Sequence, residues 1–290
     1  MKAIIFGAGG QDGHYLASLL EGRGIQVTGI SRSTGQPRGD VADFPFVSDL
    51  ISTCKPAYVF HLAANSSTRH DAIFENHETI STGTLNILES ARLHCPEARI
   101  FIAGSAMQFR NSGEPINERT PFEASSPYAV ARIQAVYAAR YFLSKFGMRV
   151  YCGYLFNHDS PLRADKHVNQ MIVSAVKRIA NGSTERLELG DLTVEKEFGF
   201  AGDVVEAIWQ LVNQDEAFEV VIGTGRAHSI EEWVDYCFRS VGKDWRQHVT
   251  VKQGFRPEYR RLISDNALLL SVGWKPKTGF EQLADMMLGA

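Results

Sequence analysis

Residues 7–13 read Gly7-Ala8-Gly9-Gly10-Gln11-Asp12-Gly13. They stand between a short apolar run, Ala3-Ile4-Ile5-Phe6, and the stretch Gly13–Gly22, in which Tyr15, Leu16, Leu19 and Leu20 share one helical face. A strand, a glycine-rich turn and a helix in that order open a βαβ unit, and the glycines let backbone amides approach an anion at the positive end of the helix. A glycine turn without a ligand is the alternative, and the register of strand, loop and helix favours the ligand. The spacing through Gly7, Gly10 and Gly13 is GxxGxxG rather than GxGxxG.

The same alternation continues. Ala3–Phe6, Gln26–Ile30, Tyr58–Leu62, Arg99–Ala103 and Val150–Leu155 read as strands, with helical periodicity at Thr84–Leu93 and over the alanine-rich stretch Pro127–Phe146. Strands alternating with helices predict an α/β fold built on a doubly wound parallel sheet of Rossmann type. Beyond His158 the loop Asp159-Ser160-Pro161-Leu162-Arg163 opens a less regular region. The reading is a dinucleotide-binding domain over 1–159 and a smaller, mainly substrate-binding part over 160–290. Within the latter, about 197–226, including a helix at Asp203–Gln214, returns to the first domain.

Composition excludes several classes. Thirty basic against 33 acidic side chains give a net charge of −3 without a like-charged block, so no nucleic-acid footprint is present. No apolar run approaches the ~18 residues of a membrane span, and the start Met1-Lys2-Ala3-Ile4-Ile5-Phe6 lacks the apolar stretch and cleavage site of a signal peptide, so a soluble, cytoplasmic protein is expected. Cys54, Cys95, Cys152 and Cys237 form no CxxC pair and read as reduced and structural, and the nine histidines contain no HExxH. No metal is expected. The four tryptophans read as packing residues.

Two further clusters carry chemistry. After the second strand, where an acid would bind the adenosine 2′-hydroxyl of NAD, the chain has Ser31-Arg32-Ser33. A guanidinium suits a 2′-phosphate, so NADP is favoured and NAD remains possible. Ser126-Pro127-Tyr128-Ala129-Val130-Ala131-Arg132 sets a phenol and a cation four residues apart, on one helix face. Phenols ionise near pH ~10, and a neighbouring cation favours the phenolate that proton transfer needs. Ser105, one strand and loop upstream, supplies a hydroxyl.

Together with the glycine spacing, these residues resemble the Ser/Thr-Tyr-Lys site of extended short-chain dehydrogenases. More narrowly, Gly10–Gly13, Ser126–Ala131, Leu155–Pro161, Gly199–Val204 and Gly273–Lys277 resemble GDP-mannose 4,6-dehydratases over nearly the whole chain. The resemblance implies that Tyr128 transfers a proton, Ser105 binds the reacting oxygen and Arg132 takes the place of the lysine that holds the nicotinamide ribose. It implies cofactor contacts at Gly7, Gly10, Gln11, Asp12, Gly13, Arg32, Asp49, Leu50, Leu62, Ala63, Ala64, Ser66, Tyr128, Arg132, His158 and Arg163. Ser105, Asn157, Lys196, Arg256 and Glu258 would touch the substrate. A homodimer through the helices at about 77–94 and 127–146 is implied as well.

The departures from that family are specific. Ser105-Ala106-Met107 replaces Thr-Ser-Glu, so the carboxylate that takes the C5 proton and assists loss of the C6 hydroxyl is missing. Arg132 replaces the lysine and, with a guanidinium pKa above ~12, cannot join a proton relay. Ile80-Ser81-Thr82-Gly83-Thr84 lacks the relay asparagine, and Gln170-Met171 replaces the Arg-Lys pair that grips the nucleotide. The expected activity is NAD(P)-dependent reduction of a nucleotide-linked 4-keto-(6-deoxy) sugar. A nucleotide-sugar epimerase, a true 4,6-dehydratase and a cofactor-binding protein without turnover are the alternatives.

Overall fold

The apolar runs become parallel strands because both of their faces are covered. The computed structural model describes residues 1–32 and 37–289, so Ser33 of the Ser31-Arg32-Ser33 segment lies outside the described residues. The first half runs β1 (Lys2–Phe6), α1 (Gln11–Glu21), β2 (Gln26–Ile30), α2 (Phe44–Cys54), β3 (Tyr58–His61), α3 (Ile73–Asn76), α4 (Gly83–His94), β4 (Arg99–Ser105), α5 (Pro127–Phe146) and β5 (Val150–Leu155). The second half continues with β6 (His158–Asp159), α6 (Val168–Ala180), β7 (Leu187–Leu189), β8 (Glu195–Glu197), β9 (Gly199–Phe200), α7 (Ala201–Val212) and β10 (Glu219–Ile222). It ends with β11 (Ala227–Ser229), α8 (Ile230–Ser240), β12 (Val249–Val251), β13 (Arg261–Leu262), α9 (Ala267–Ser271) and α10 (Phe280–Leu288).

The main sheet has the order β10-β5-β4-β3-β1-β2, with every pairing parallel. This is the doubly wound α/β sheet expected from the sequence. β10, not among the strands read there, forms its sixth member. On one face Leu16 and Leu20 of α1 pack with Val205, Ile208 and Leu211 of α7. The opposite face is covered by Val47 and Ile51 of α2, Ile87 and Leu88 of α4, and Ala131, Ala135 and Ala139 of α5, whose small side chains let that helix approach closely. A third core joins α6, α8 and α10 through Ile172, Val176, Trp233, Phe238 and Leu283.

Strand order reverses between β1 and β3, which opens a crevice at the carboxyl ends of the strands. Element ends differ from the sequence reading by a few residues. β4 runs on to Ser105, and the helix expected at Asp203–Gln214 spans Ala201–Val212. Between α3 and α4, His77–Thr82 winds as a π-helix, which helical periodicity does not reveal. All four cysteines are free thiols, and Cys152 and Cys237 are buried. Among the described residues no helix is long and apolar enough to cross a membrane, and no cluster of His, Cys, Asp and Glu is placed to hold a metal ion.

Candidate active site

The crevice is a cleft of about 580 Å³, floored by the glycine loop and walled by the ends of β3, β4 and β5. The loop is tight because side chains cannot fit there. A Cβ on Gly13 would lie 2.5 Å from the Gly7 carbonyl oxygen, and Gly7 itself, at φ +94°, passes within 2.6 Å of the Ala63 amide nitrogen at its would-be Cβ. Gly10 has no side chain with which to cap α1, so the first amides of that helix face the cleft and suit a diphosphate. The residues present therefore fit a dinucleotide.

Asp12 stands in this first turn, where a lone carboxylate would repel such an anion. Its Oδ1 lies 2.9 Å from His158 Nε2. Burial would raise the Asp12 carboxyl, but His158 and then Arg163 outweigh it and hold it below the usual carboxylate range. Gln11 closes the same junction, accepting from the Ser160 hydroxyl at 2.9 Å. Arg163 pairs with Asp159 at 3.2 Å and meets His167, which burial and then the Arg163 charge push down to about 4, leaving that imidazole neutral.

Ser105, Tyr128 and Arg132 converge on the opposite wall. Ser105 ends β4, its amide donates to Gln108 Oε1 at 2.9 Å, and its Oγ accepts from the Met107 amide at 3.2 Å. The hydroxyl hydrogen is thus left free to donate. Tyr128 enters through a capped helix start: Ser126 Oγ accepts from the Ala129 amide at 3.1 Å and Pro127 sits in the first turn. Arg132, 4% exposed, places its guanidinium carbon 5.1 Å from the Tyr128 ring centroid and donates to the Ala103 carbonyl. His61 is fully buried nearby, and burial together with the Arg132 charge pushes it down to about 3, so it is neutral.

Of the cofactor and substrate residues read from the sequence, Gly7, Gly10, Gln11, Asp12, Gly13, Leu62, Ala64, Ser66, Ser105, Tyr128, Arg132, Asn157, His158, Arg163 and Glu258 line this cleft. Arg32 and Ala63 line an adjoining recess of about 250 Å³. Four do not reach either. Asp49 and Leu50 lie on α2, where Asp49 is exposed and Leu50 packs into the core. Asp40 and Val41 stand in the recess instead. A helix signal in the sequence marks the difference, since Asp43 caps α2 and Pro45 follows in its first turn, which commits residue 49 to the helix. Lys196 is buried in β8 with its ammonium 5.4 Å from the Phe198 ring, and burial lowers it to about 8. Arg256 is exposed on the loop after β12, outside the cleft. Thr68, Lys166 and Tyr259, absent from the sequence reading, line the cleft, and Thr68 donates to Glu258 at its lip. Their positions on irregular loops leave no periodic signal.

A family model described as GDP-mannose 4,6 dehydratase matches residues 4–287. The chain belongs to that family. A curated relative, GDP-mannose 4,6 dehydratase 2 of Arabidopsis thaliana, is 34% identical, with 99% of this chain and 85% of the relative aligned. Among solved structures, RMD from Pseudomonas aeruginosa complexed with NADPH superposes with a TM-score of 0.87 at 23% identity, covering 99% of this chain and 98% of that one. UDP-glucose 4-epimerase of Thermus thermophilus, complexed with NAD, gives 0.86 at 21% identity over 100% and 98% of the two chains. The family is one of nucleotide-sugar dehydratases and epimerases, and the sequence reading of an enzyme of the short-chain dehydrogenase type stands.

Proposed function

We propose that this protein reduces a nucleotide-linked 4-keto-(6-deoxy) sugar with NADPH. One observation carries the reading: the cleft wall holds two hydroxyl donors, Ser105 and Tyr128, beside Met107 where the family's dehydration chemistry needs an acid. Met107 is half-buried against the sheet core and can neither take nor give a proton. Reduction of a ketone needs no such group. It needs a proton source and donors to the oxygen that becomes an alkoxide, and each well-placed donor contributes about 3 kcal/mol to that step.

The amides of the glycine loop would hold the diphosphate, Arg32 the 2′-phosphate, and Arg132 the ribose next to the reacting ring. The dinucleotide supplies hydride when bound. Tyr128 protonates the carbonyl oxygen and Ser105 hydrogen-bonds it, while the Arg132 guanidinium covers the Tyr128 ring and fixes its place in the wall. Solved relatives of this fold hold NADPH and NAD, which supports a nicotinamide dinucleotide here. Two copies would pair through α4 and α5, whose outward faces expose Leu85, Leu93, Val130, Tyr137 and Tyr141.

The test is direct. Purified protein given NADPH and a panel of 4-keto-6-deoxy sugars on GDP, dTDP, UDP and CDP should oxidise NADPH with one of them. Formation of a 4-keto-6-deoxy product from GDP-mannose would overturn the reading, because it requires the acid that Met107 cannot supply.

A further inference from the structure

The recess beside the glycine loop carries an internal competitor for its own cation. Arg32, just beyond β2, is the residue read above as the grip for a 2′-phosphate. Its guanidinium lies 2.8 Å from Glu75 Oε1, a carboxylate delivered from α3, 43 positions along the chain. The second oxygen of Glu75 accepts from Asn65 Nδ2 at 2.6 Å, so the carboxylate is fixed from both sides. Those two hydrogen bonds, Arg32 first, together with the Lys166 charge, hold Glu75 below the usual carboxylate range, and it is an anion at neutral pH. No acid directly follows β2; Asp40 lines the recess, and the fold brings Glu75 onto Arg32 from another element.

We infer that Glu75 sets the choice between phosphorylated and unphosphorylated dinucleotide by holding Arg32. This rests on the nicotinamide-dinucleotide reading of the cleft. A 2′-phosphate must share the guanidinium with Glu75, or take it, and then sit near a like charge held by Asn65. An unphosphorylated ribose leaves the pair intact. Glu75 therefore weakens NADP(H) selectively, and NAD(H) is indifferent to its charge. Lys166, at the lip of the main cleft, offsets part of the repulsion.

Glu75→Gln keeps the shape and the Asn65 contact while removing the charge. By calorimetric titration, the Kd for NADPH and for adenosine 2′,5′-bisphosphate should tighten by about three- to tenfold, while the Kd for NADH stays within about twofold. Arg32→Gln should lose the preference in both backgrounds. Glu75→Ala gives a second measure of the same shift should the amide alter folding, with thermal melts of each variant as the control. If wild type binds dinucleotide and Glu75→Gln and Glu75→Ala leave the NADPH-to-NADH ratio unchanged or lower it, Glu75 has no such role and the cofactor reading survives. If no dinucleotide binds to any of the folded proteins, the cofactor reading itself fails, and this inference with it.

Discussion

His158 stands between two acceptors: its Nε2 lies 2.9 Å from Asp12 Oδ1 and its Nδ1 2.7 Å from the Phe156 carbonyl oxygen. A carbonyl and a carboxylate can only accept, so the two contacts together favour the ring with both nitrogens protonated. Burial opposes that charge, yet the facing Asp12 carboxylate more than compensates and raises the imidazole above its ordinary value of 6.5, against a lowering contribution from Arg163. The pair staples the first turn of α1 to the segment that follows β5, at the point where a diphosphate would lie.

Its pH dependence has a definite sign. A raised imidazole contributes stability that is complete below the unfolded value near 6.5 and is lost as pH climbs through the folded one. The lowered Asp12 carboxyl contributes above its unfolded value near 3.8 and fails only as pH falls through the folded value. The unfolding midpoint of the wild-type protein should therefore decline as pH rises from 6.5 through the alkaline range. In Asp12→Asn that alkaline decline should be visibly shallower. Identical slopes in the two proteins would show that the imidazole is not charged.

Tyr128 and Ser105 make different contributions to one oxygen. Tyr128→Phe removes the proton donor without changing the ring that Arg132 covers, so the rate of hydride transfer should fall by about 10²-fold or more, with dinucleotide affinity within about threefold of wild type. Ser105→Ala removes one donor to the alkoxide and should cost about 10²-fold in kcat. Single-turnover kinetics separates chemistry from binding in both. A Tyr128→Phe enzyme with wild-type turnover would exclude the mechanism.

The glycine loop gives a prediction that concerns binding alone. Gly13→Ala places a methyl 2.5 Å from the Gly7 carbonyl oxygen and 2.6 Å from Ala8 Cα, both backbone atoms that cannot swing away. The loop has to open, and the amides of α1 lose their convergence. Dinucleotide affinity should fall by about tenfold or more, with the far-ultraviolet circular dichroism unchanged. Gly24→Ala is the control, since a Cβ there meets nothing within 4 Å, although its φ of +74° makes it mildly destabilising. Equal affinities in wild type and Gly13→Ala would mean that the loop does not hold the diphosphate.

What is legible in the sequence and what is hidden follow from distance along the chain. β1, the glycine loop and α1 are contiguous, and Ser126-Pro127 announces α5, so the sheet and the Tyr128–Arg132 pair can be read from local pattern. Asp49 and Asp40 both precede an aliphatic residue, and only the cap at Asp43 tells which of them is helical. The family resemblance makes Lys196 a substrate contact, whereas β8 buries it between neighbouring strands β11 and β13. The bonds from Arg32 to Glu75 and from His158 to Asp12 join residues 43 and 146 positions apart, and no periodicity encodes such partners.

The buried Glu197 carboxylate tests how β8 is tied to the segments that follow β10 and β13. It ends β8 and accepts from the Ser264 amide and hydroxyl, each at 2.6 Å, and from the amides of Thr224 and Gly225 at 2.5 and 3.3 Å, just beyond β10. Burial pushes the carboxyl up, and these donors, Ser264 foremost, pull it back. Every partner is a donor, so an acceptor-only group is required. Glu197→Gln keeps the volume but turns one oxygen into an NH₂ that faces other N–H groups, which strands buried donors at a cost of about 1–3 kcal/mol each. The urea midpoint should drop accordingly with an unchanged m-value, because the surface exposed on unfolding is the same. Glu197→Asp, one methylene short of the same donors, should be destabilised as well. A Glu197→Gln protein with the wild-type midpoint would mean that this junction contributes nothing to stability.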